Sequence, residues 1–285
     1  MANRCVFLGN QSGIRECPTC QRSVKIKVFQ CGHPSHSETT IHECRDCPDF
    51  QREGERGFVV NWEVAVTTAP RERPTLVTCV ESLRAAGWGS FRIFAEPKSP
   101  MTENMESVTH RPIHLGAWSN WYLSLTEMYL TNPKADAYLI CQDDTIFSAG
   151  LRGYLENHLW PAPQVGVVSI YCPQHYEIPG EFGFREINEG WGTWGALAYV
   201  FSNRSIREFL SHELPINHRH HGPSDGSRNV DSVVGHWCRE SQRPYYIHTP
   251  SLAQHIGATS TLWSARATGR RRAQTFLRSV AEDRR

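Results

Sequence analysis

From Phe58 onward, short apolar runs typical of strands alternate with longer segments of helical periodicity. The first unit is the clearest: residues 62–68 form a predicted strand, and Pro74 opens a predicted helix with apolar side chains at helical spacing. Such alternation is the pattern of an α/β fold, in which helices cover a largely parallel sheet. We therefore expect an α/β domain with a mostly parallel central sheet.

The remaining periodic segments extend this pattern. We expect further strands at residues 91–95, 137–141, 165–171, 196–201 and 245–248, and helices at residues 115–130, 151–159, 205–212 and 230–240. Residues 217–226 are rich in histidine, glycine and proline, which favours a turn-rich loop between two helices. A chain of 285 residues can hold one such domain and a small appendage.

The cysteines mark the appendage, since six of the ten fall within the first 47 residues. Two Cys-x₂-Cys pairs, separated by 23 residues, have the spacing of a tetrahedral structural zinc site. The predicted Zn²⁺ ligands are Cys17, Cys20, Cys44 and Cys47. We expect a cysteine-rich metal module at residues 1–52, followed by the α/β domain at residues 53–285.

Other side chains in this module leave the zinc ligand set open. Five of them, Cys5, Cys31, His33, His36 and His42, could replace one of the four thiolates or complete a second site. Four thiolates would stabilise a segment that is too short to have a core of its own. The module is expected to be structural or to recognise a partner, because a closed four-thiolate site has no open position for chemistry.

Charge and hydropathy narrow the possible partners. The chain has 30 Lys+Arg and 29 Asp+Glu, so its net charge of +1 gives no reason to expect binding to nucleic acid or to an anionic membrane. No stretch approaches the roughly 18 consecutive apolar residues of a membrane helix, and the first residues lead into no apolar signal region. We expect a cytoplasmic protein without a membrane span, in which clustered thiols bind metal.

Two adjacent carboxylates, Asp143 and Asp144, directly follow the predicted buried strand at residues 137–141. Ligands of open α/β sheets bind beyond the carboxyl ends of strands, so this pair is expected to face a site. Carboxylates there could hold a divalent cation that neutralises a diphosphate. An acidic pair can also simply end a strand and cap the following turn.

Four segments, in this order, resemble glycosyltransferases of the GT-A fold. They are Thr67-Thr-Ala-Pro-Arg71 before a helix, Gln142-Asp-Asp144 after a strand, Glu189-Gly-Trp-Gly-Thr-Trp-Gly195, and Pro250-Ser-Leu-Ala-Gln-His-Ile-Gly257. The resemblance covers roughly residues 58 to 263. It implies a Rossmann-like nucleotide-sugar-binding domain.

The resemblance also implies roles in donor binding. Asp144 would be the leading metal ligand, with Asp143 as a helper and Gln142, where an acidic residue is common, as a ribose contact. His255 would supply a second metal contact, which favours Mn²⁺ over Mg²⁺. Thr68 and Arg71 are predicted to contact the nucleotide or its phosphates, although Arg71 could equally be a solvated surface residue.

Transfer to a hydroxyl with inversion needs a carboxylate that accepts the proton of the acceptor. Asp231, at the start of the predicted helix 230–240, is the first candidate, Glu189 the second and Asp225 the third. An aspartate in the first turn of a helix can also serve only the helix dipole. Trp191 and Trp194, set among glycines, are predicted to contact sugar.

The sequence therefore predicts a metal-dependent glycosyltransferase that moves a sugar from a nucleotide-sugar donor, such as a UDP- or GDP-sugar, to a carbohydrate or other hydroxyl acceptor. Two alternatives stay open. One is a nucleotidyltransferase or phosphotransferase, which could use the same sheet and carboxylates. The other is a non-catalytic nucleotide-binding adaptor. Binding of nucleic acid by the short basic run at residues 269–272 is a weaker third.

Overall fold

The computed structural model describes residues 8–16, 23–31, 60–101, 105, 107–162, 164–221, 230–258 and 271–280. For residues 8–16, 23–31 and 219–221 it describes the backbone alone. The chain divides into two compact units, residues 1–59 and 60–285. The sequence-based division between residues 52 and 53 stays a prediction.

The first unit contains an antiparallel hairpin of β1 (Leu8–Glu16) and β2 (Ser23–Cys31). The register places Leu8 opposite Cys31 and Glu16 opposite Ser23. Strand β2 has the sequence SVKIKVFQC, in which apolar and polar residues alternate with the period of two that a half-buried strand requires. We did not predict this hairpin, because the cysteine spacing alone guided the interpretation of the segment.

The predicted zinc ligands Cys17, Cys20, Cys44 and Cys47 lie outside the described residues, as do Cys5 and His33. Cys31 is the last residue of β2. The zinc module therefore stays a prediction.

The second unit is an α/β domain. Its strands are β3 (Trp62–Thr68), β4 (Arg92–Ala95), β5 (Val108–His110), β6 (Ala137–Gln142), β7 (Thr145–Phe147), β8 (Val167–Ser169), β9 (Gly183–Ile187), β10 (Ala198–Ser202), β11 (Tyr245–Thr249) and β12 (Ala253–His255). Its described helices are α1 (Leu76–Ala86), α2 (Ala117–Thr131), α3 (Leu151–His158), α4 (Asn203–Leu210), α5 (Glu213–His221) and α6 (Val230–Glu240).

Eight of these strands form one sheet in the order β5-β4-β3-β6-β10-β8-β11-β9. The neighbours β5/β4, β4/β3, β3/β6 and β8/β11 are parallel, and the other three pairs are antiparallel. Strands β7 and β12 pair separately and antiparallel. The predicted α/β fold with a mostly parallel central sheet is confirmed.

Apolar side chains cover both faces of the central strands. In β6, Leu139 and Cys141 pack on the face covered by α1 and α3, whereas Tyr138 and Ile140 pack on the face covered by α2, α4 and α6. All four side chains are fully buried. A strand with two buried faces reads as a continuous apolar run, which explains why β6 was recognisable from sequence.

Several predicted boundaries differ from the structure. Helix α1 begins at Leu76 rather than at Pro74, and β8 covers only Val167–Ser169. The expected loop at residues 217–226 is wrong in its first half, because α5 continues to His221. The ring of His218 is buried against Trp118 of α2, with ring centroids 4.7 Å apart, so tertiary packing overrides the loop-like composition there.

Within the part of the chain that the structure describes, no helix combines the length and the apolar character that a membrane span requires.

Helix α6 packs closely on the turn at residues 190–193, and Gly235 makes this approach possible. A Cβ atom on Gly235 would lie 2.6 Å from the carbonyl oxygen of Gly190 and even closer to the side chain of Thr193. We predict that Gly235→Ala lowers the free energy of unfolding by about 1–3 kcal/mol, because the added methyl group overpacks a buried contact.

Gly153→Ala in α3 is the matched control, because a Cβ atom there meets nothing within 4 Å. It is expected to raise stability by up to about 1 kcal/mol through helix propensity. Urea unfolding of the two variants measures both effects. Equal stability of Gly235→Ala and the wild type would contradict the close approach of α6 to this turn.

Candidate active site

A cavity of about 1040 Å³ opens at the carboxyl ends of β3, β4 and β6. This is the edge of an open α/β sheet where ligands bind. Seven residues that the sequence analysis singled out line it, namely Thr68, Arg71, Gln142, Asp143, Trp194, Asp231 and His255. The sheet thus brings together side chains from five separate parts of the chain.

Strand β6 carries Asp143 and Asp144 into the interior. The N–H of Asp143 donates to the carbonyl oxygen of Thr67 at 3.0 Å, which continues the pairing of β6 with β3 beyond the last strand residue. Asp143 is 2% exposed and Asp144 is 4% exposed. Burying two carboxylates is costly unless positive charges and hydrogen bonds compensate, so their partners define the site.

Arg71 is the main partner of both carboxylates. Its guanidinium donates from Nη1 to Asp144 Oδ2 at 2.7 Å, and its Nη2 forms an ion pair with Asp143 Oδ1 at 2.5 Å. Thr68, at the end of β3, donates its hydroxyl to Asp143 Oδ2 at 2.6 Å. The solvated surface role that was considered for Arg71 is wrong, because its side chain is only 8% exposed.

The two carboxylates differ in their pKa values. Burial raises the pKa of Asp143 to about 6, although the positive charge of Arg71 opposes this shift. Burial also disfavours ionisation of Asp144, but a hydrogen bond from His255 and the charge of Arg71 outweigh it and lower the pKa to about 2. The pKa of Arg71 is raised, because the charges of Asp144 and Asp143 outweigh its burial. Asp144 therefore carries the more firmly held negative charge.

His255 reaches Asp144 through the small second sheet. Strand β12 pairs with β7 so that His255 lies opposite Thr145, and the N–H of Ile256 donates to the carbonyl oxygen of Asp144 at 2.8 Å. The Nε2 atom of His255 then lies 3.1 Å from Asp144 Oδ2. Asp144 directly precedes β7 and His255 is the last residue of β12, so the pairing of these two short strands brings the two side chains together.

Asp144 Oδ2 and His255 Nε2, which share a hydrogen bond, have a separation that would also suit two neighbouring ligands of a divalent cation. Two ligand atoms of an octahedral ion, each roughly 2.1 Å from it, lie about 3 Å apart, which matches the 3.1 Å between Asp144 Oδ2 and His255 Nε2. A Cβ atom on Gly257 would lie 2.9 Å from Asp144 Oδ2 and 3.1 Å from His255 Nε2, so the glycine keeps this space open. Asp144 Oδ1 is buried without a hydrogen-bond partner.

A cation there would depend on ligands from outside the protein. Within the described residues, no group of three or more His, Cys, Asp and Glu side chains is arranged to hold a metal. Asp144 and His255 would supply two ligands, and oxygens of a bound diphosphate and water would complete the shell, as is usual for cations at phosphate sites.

Asp231, in the first turn of α6, also lines the cavity. Burial raises the pKa of its carboxyl group, while hydrogen bonds from backbone N–H groups, including those of Gly195 and Ser232, and the charge of Arg271 act against the shift. Gly195 has a φ of 153° and leaves no room for a side chain, since its Cβ atom would lie 2.9 Å from Ser169 Oγ. The glycine thus brings its N–H to the carboxylate.

The Gly-Trp run forms a 3-10 turn at Gly190–Gly192. Trp194 is 43% exposed and lines the cavity. Trp191 is 42% exposed and stacks on His236, with ring centroids 4.1 Å apart, but it is not among the described residues that line the cavity. Only one of the two indoles therefore borders the cavity directly.

Three further candidates have less direct positions. Gln142 lines the cavity, and its Nε2 donates to the carbonyl oxygen of Ala196 at 3.1 Å, which uses one of its amide hydrogens. Glu189 accepts a hydrogen bond from the Tyr176 hydroxyl at 2.9 Å and is not among the described lining residues. Asp225 lies outside the described residues.

Glu96, which was not predicted as a site residue, is 2% exposed and lines the cavity. Its carboxylate accepts hydrogen bonds from the N–H groups of Leu115 and Gly116 at 3.0 Å, at the start of α2, where a negative charge is favoured. The sequence contained the feature that would have predicted this position, because Glu96 directly follows an apolar strand just as Asp143 does.

Arg271 and Tyr171 also line the cavity without having been predicted. The Tyr171 hydroxyl donates to the carbonyl oxygen of Arg271. Downstream, the side chain of Gln254 accepts a hydrogen bond from the N–H of Ala273 at 2.9 Å and donates one to its carbonyl oxygen at 2.9 Å. Residues from 271 onward thus return to the site, and no local pattern in the sequence indicates this long-range contact.

Comparisons with known proteins give a distant structural likeness. No family model matches the chain, and no curated protein matches it in sequence. Among solved structures, it is similar to a protein from Bacillus anthracis described as a glucose-1-phosphate thymidylyltransferase, solved in complex with a sucrose. The identity is 12%, the TM-score is 0.39, and the match covers 68% of this chain and 89% of that chain.

Proposed function

We propose that this chain is a glycosyltransferase that uses a nucleoside-diphosphate sugar as donor. The observation that carries the proposal is the buried pair Asp143 and Asp144 at the carboxyl end of β6, with His255 Nε2 3.1 Å from Asp144 Oδ2 beside the cavity. Arg71 offsets only one of the two negative charges, and a diphosphate bridged to the pair by a divalent cation is a ligand class that would offset the other.

The donor would lie across the carboxyl ends of β3, β4 and β6. Thr68, Arg71 and Gln142 border this part of the cavity and offer a hydroxyl, a guanidinium and an amide to phosphate and ribose oxygens. Asp144 and His255 would hold the divalent cation, Mn²⁺ by preference because one ligand is an imidazole. When bound, such an ion supplies electrostatic stabilisation to the departing diphosphate.

The acceptor would enter beside Trp194, whose exposed indole offers an apolar face for a sugar ring. Asp231 would take the proton from the acceptor hydroxyl as its oxygen bonds to the anomeric carbon of the donor. The bond from that carbon to the diphosphate oxygen breaks at the same time, and the nucleoside diphosphate leaves with the electron pair. Attack from the face opposite the leaving group inverts the anomeric centre.

The raised pKa of Asp231 suits it to this role, because a more basic carboxylate accepts a proton more readily. Glu189 is the weaker candidate, since it lies beside Tyr176 rather than on the lining of the cavity.

Identification of the released product tests the proposal. Wild-type protein is incubated with UDP-, GDP-, dTDP- and CMP-sugars in the presence of Mn²⁺ and a panel of sugar acceptors. Release of nucleoside diphosphate together with a glycosylated acceptor is the expected result. A parallel incubation contains nucleoside triphosphates and sugar phosphates instead, and release of pyrophosphate there would establish a nucleotidyltransferase. Binding of nucleotide sugars without any turnover would establish an adaptor.

Asp231→Asn is predicted to lower kcat/KM for transfer by about 100-fold or more, because an amide cannot accept the proton. Glu240→Gln is the matched control, since this exposed carboxylate lies at the other end of the same helix. It should leave transfer unchanged. Transfer by Asp231→Asn at the wild-type rate would exclude Asp231 as the base.

The pH dependence gives a second check on Asp231. The base works only when it is ionised, so activity is present above its folded-state pKa and is lost as the pH falls through that value. Because the pKa is raised, the acid limb of kcat/KM should lie at higher pH than for an ordinary aspartate, whose pKa is about 3.9. An acid limb at or below the ordinary value would contradict this assignment.

A further inference from the structure

Arg71 occupies the carboxylate atoms that the proposed cation would need. Its Nη1 lies 2.7 Å from Asp144 Oδ2, and His255 Nε2 lies 3.1 Å from the same oxygen. Its Nη2 lies 2.5 Å from Asp143 Oδ1. The guanidinium therefore spans both carboxylates and takes the position of a counter-ion to the pair.

Arg71 and a divalent ion would each weaken the binding of the other to the two carboxylates. The Arg71, Asp143 and Asp144 side chains are all less than one-tenth exposed, so water screens little of the repulsion between a guanidinium and a metal ion there. The guanidinium also uses Asp144 Oδ2, the oxygen that lies nearest to His255. Loading of the ion thus requires the guanidinium to withdraw from Asp144 or to tolerate a strong repulsion.

We propose that Arg71 is an internal counter-cation that competes with the divalent metal ion for Asp144 and thereby holds the metal affinity of the free protein low. The inference rests on the proposed function for the identity of the metal ligands, Asp144 and His255. It goes beyond that function by assigning to Arg71 control over when the site takes up metal.

This role of Arg71 also explains how the two carboxylates can stay buried when no metal ion is bound. Without a cation the pair would hold two negative charges in the interior, and Arg71 neutralises one of them. A donor diphosphate entering the cavity offers Arg71 another anionic partner, since Arg71 lines that cavity. Uptake of metal would then follow uptake of the donor, and the free protein would not hold the ion tightly.

Binding of Mn²⁺ to the free protein tests this inference, with the unbound ion followed by electron paramagnetic resonance and no donor or acceptor present. Arg71→Met keeps the length and apolar stem of the side chain but removes its charge. We expect it to bind Mn²⁺ about tenfold more tightly than the wild type, or better, because the competing charge is gone. Arg73→Met, an exposed arginine in the same segment, is the matched control and should bind like the wild type.

The double variant Arg71→Met/Asp144→Asn locates the ion. The gain in affinity should disappear in it, and a gain that persists would place the ion elsewhere and overturn the inference. Unchanged or weaker Mn²⁺ binding by Arg71→Met would also overturn it.

Arg71→Lys provides the same test if Arg71→Met fails to fold. A lysine retains the buried positive charge but cannot bridge two carboxylates with a planar fork. Its Mn²⁺ affinity should exceed that of the wild type by about a few-fold, and an affinity equal to that of the wild type would overturn the inference. Because these titrations use no sugar donor, their outcome is independent of whether the protein transfers sugar.

Discussion

The burial of two carboxylates at the end of β6 is the constraint on which the rest of the site depends. Asp143 and Asp144 are each less than 5% exposed, and an uncompensated charge in such a place would be strongly destabilising. Arg71, Thr68 and His255 supply the compensation from two other parts of the chain. These three side chains therefore stabilise the folded protein, whatever they contribute to catalysis.

The sheet order explains how these partners arrive. Strands β3 and β6 are parallel neighbours, so the last residue of β3, Thr68, and the turn that follows it, with Arg71, lie at the edge where β6 ends. The separate pairing of β12 with β7 fixes His255 beside Asp144. The cavity that Arg71, Asp143 and His255 line also contains Asp231 at the start of α6, whereas Asp144 lies behind them and is not among the described residues that line it.

Much of this arrangement was predictable from local patterns. Strand β6 was recognised because both of its faces are buried, and α6 because its apolar residues follow helical spacing over the full length of the helix. The short strands β5, β7 and β12 have three residues each, too few to show a period. Glu96 had a readable signal that was overlooked, since it follows its strand directly.

Other features depend on contacts that no local pattern contains. The ion pairs of Arg71 join residues more than 70 positions apart, and the composition of its segment equally suited a solvated arginine. The return of Arg271 to the cavity depends on the hydrogen bonds of Gln254 with Ala273, which are invisible in the sequence. The helical state of residues 217–221 likewise depends on the packing of His218 against Trp118.

The dependence of nucleotide-sugar binding on Asp144 shows whether a donor binds at the acidic pair. Thermal unfolding of the wild type and of Asp144→Asn is compared with UDP-, GDP-, dTDP- and CMP-sugars, each with and without Mn²⁺, since selective binding to the folded state raises Tm. At least one nucleoside-diphosphate sugar should raise the Tm of the wild type in a Mn²⁺-dependent way, and Asp144→Asn should lose that increase. Stabilisation of both proteins to the same extent, or of neither by any nucleotide sugar, would contradict a donor site at this acidic pair.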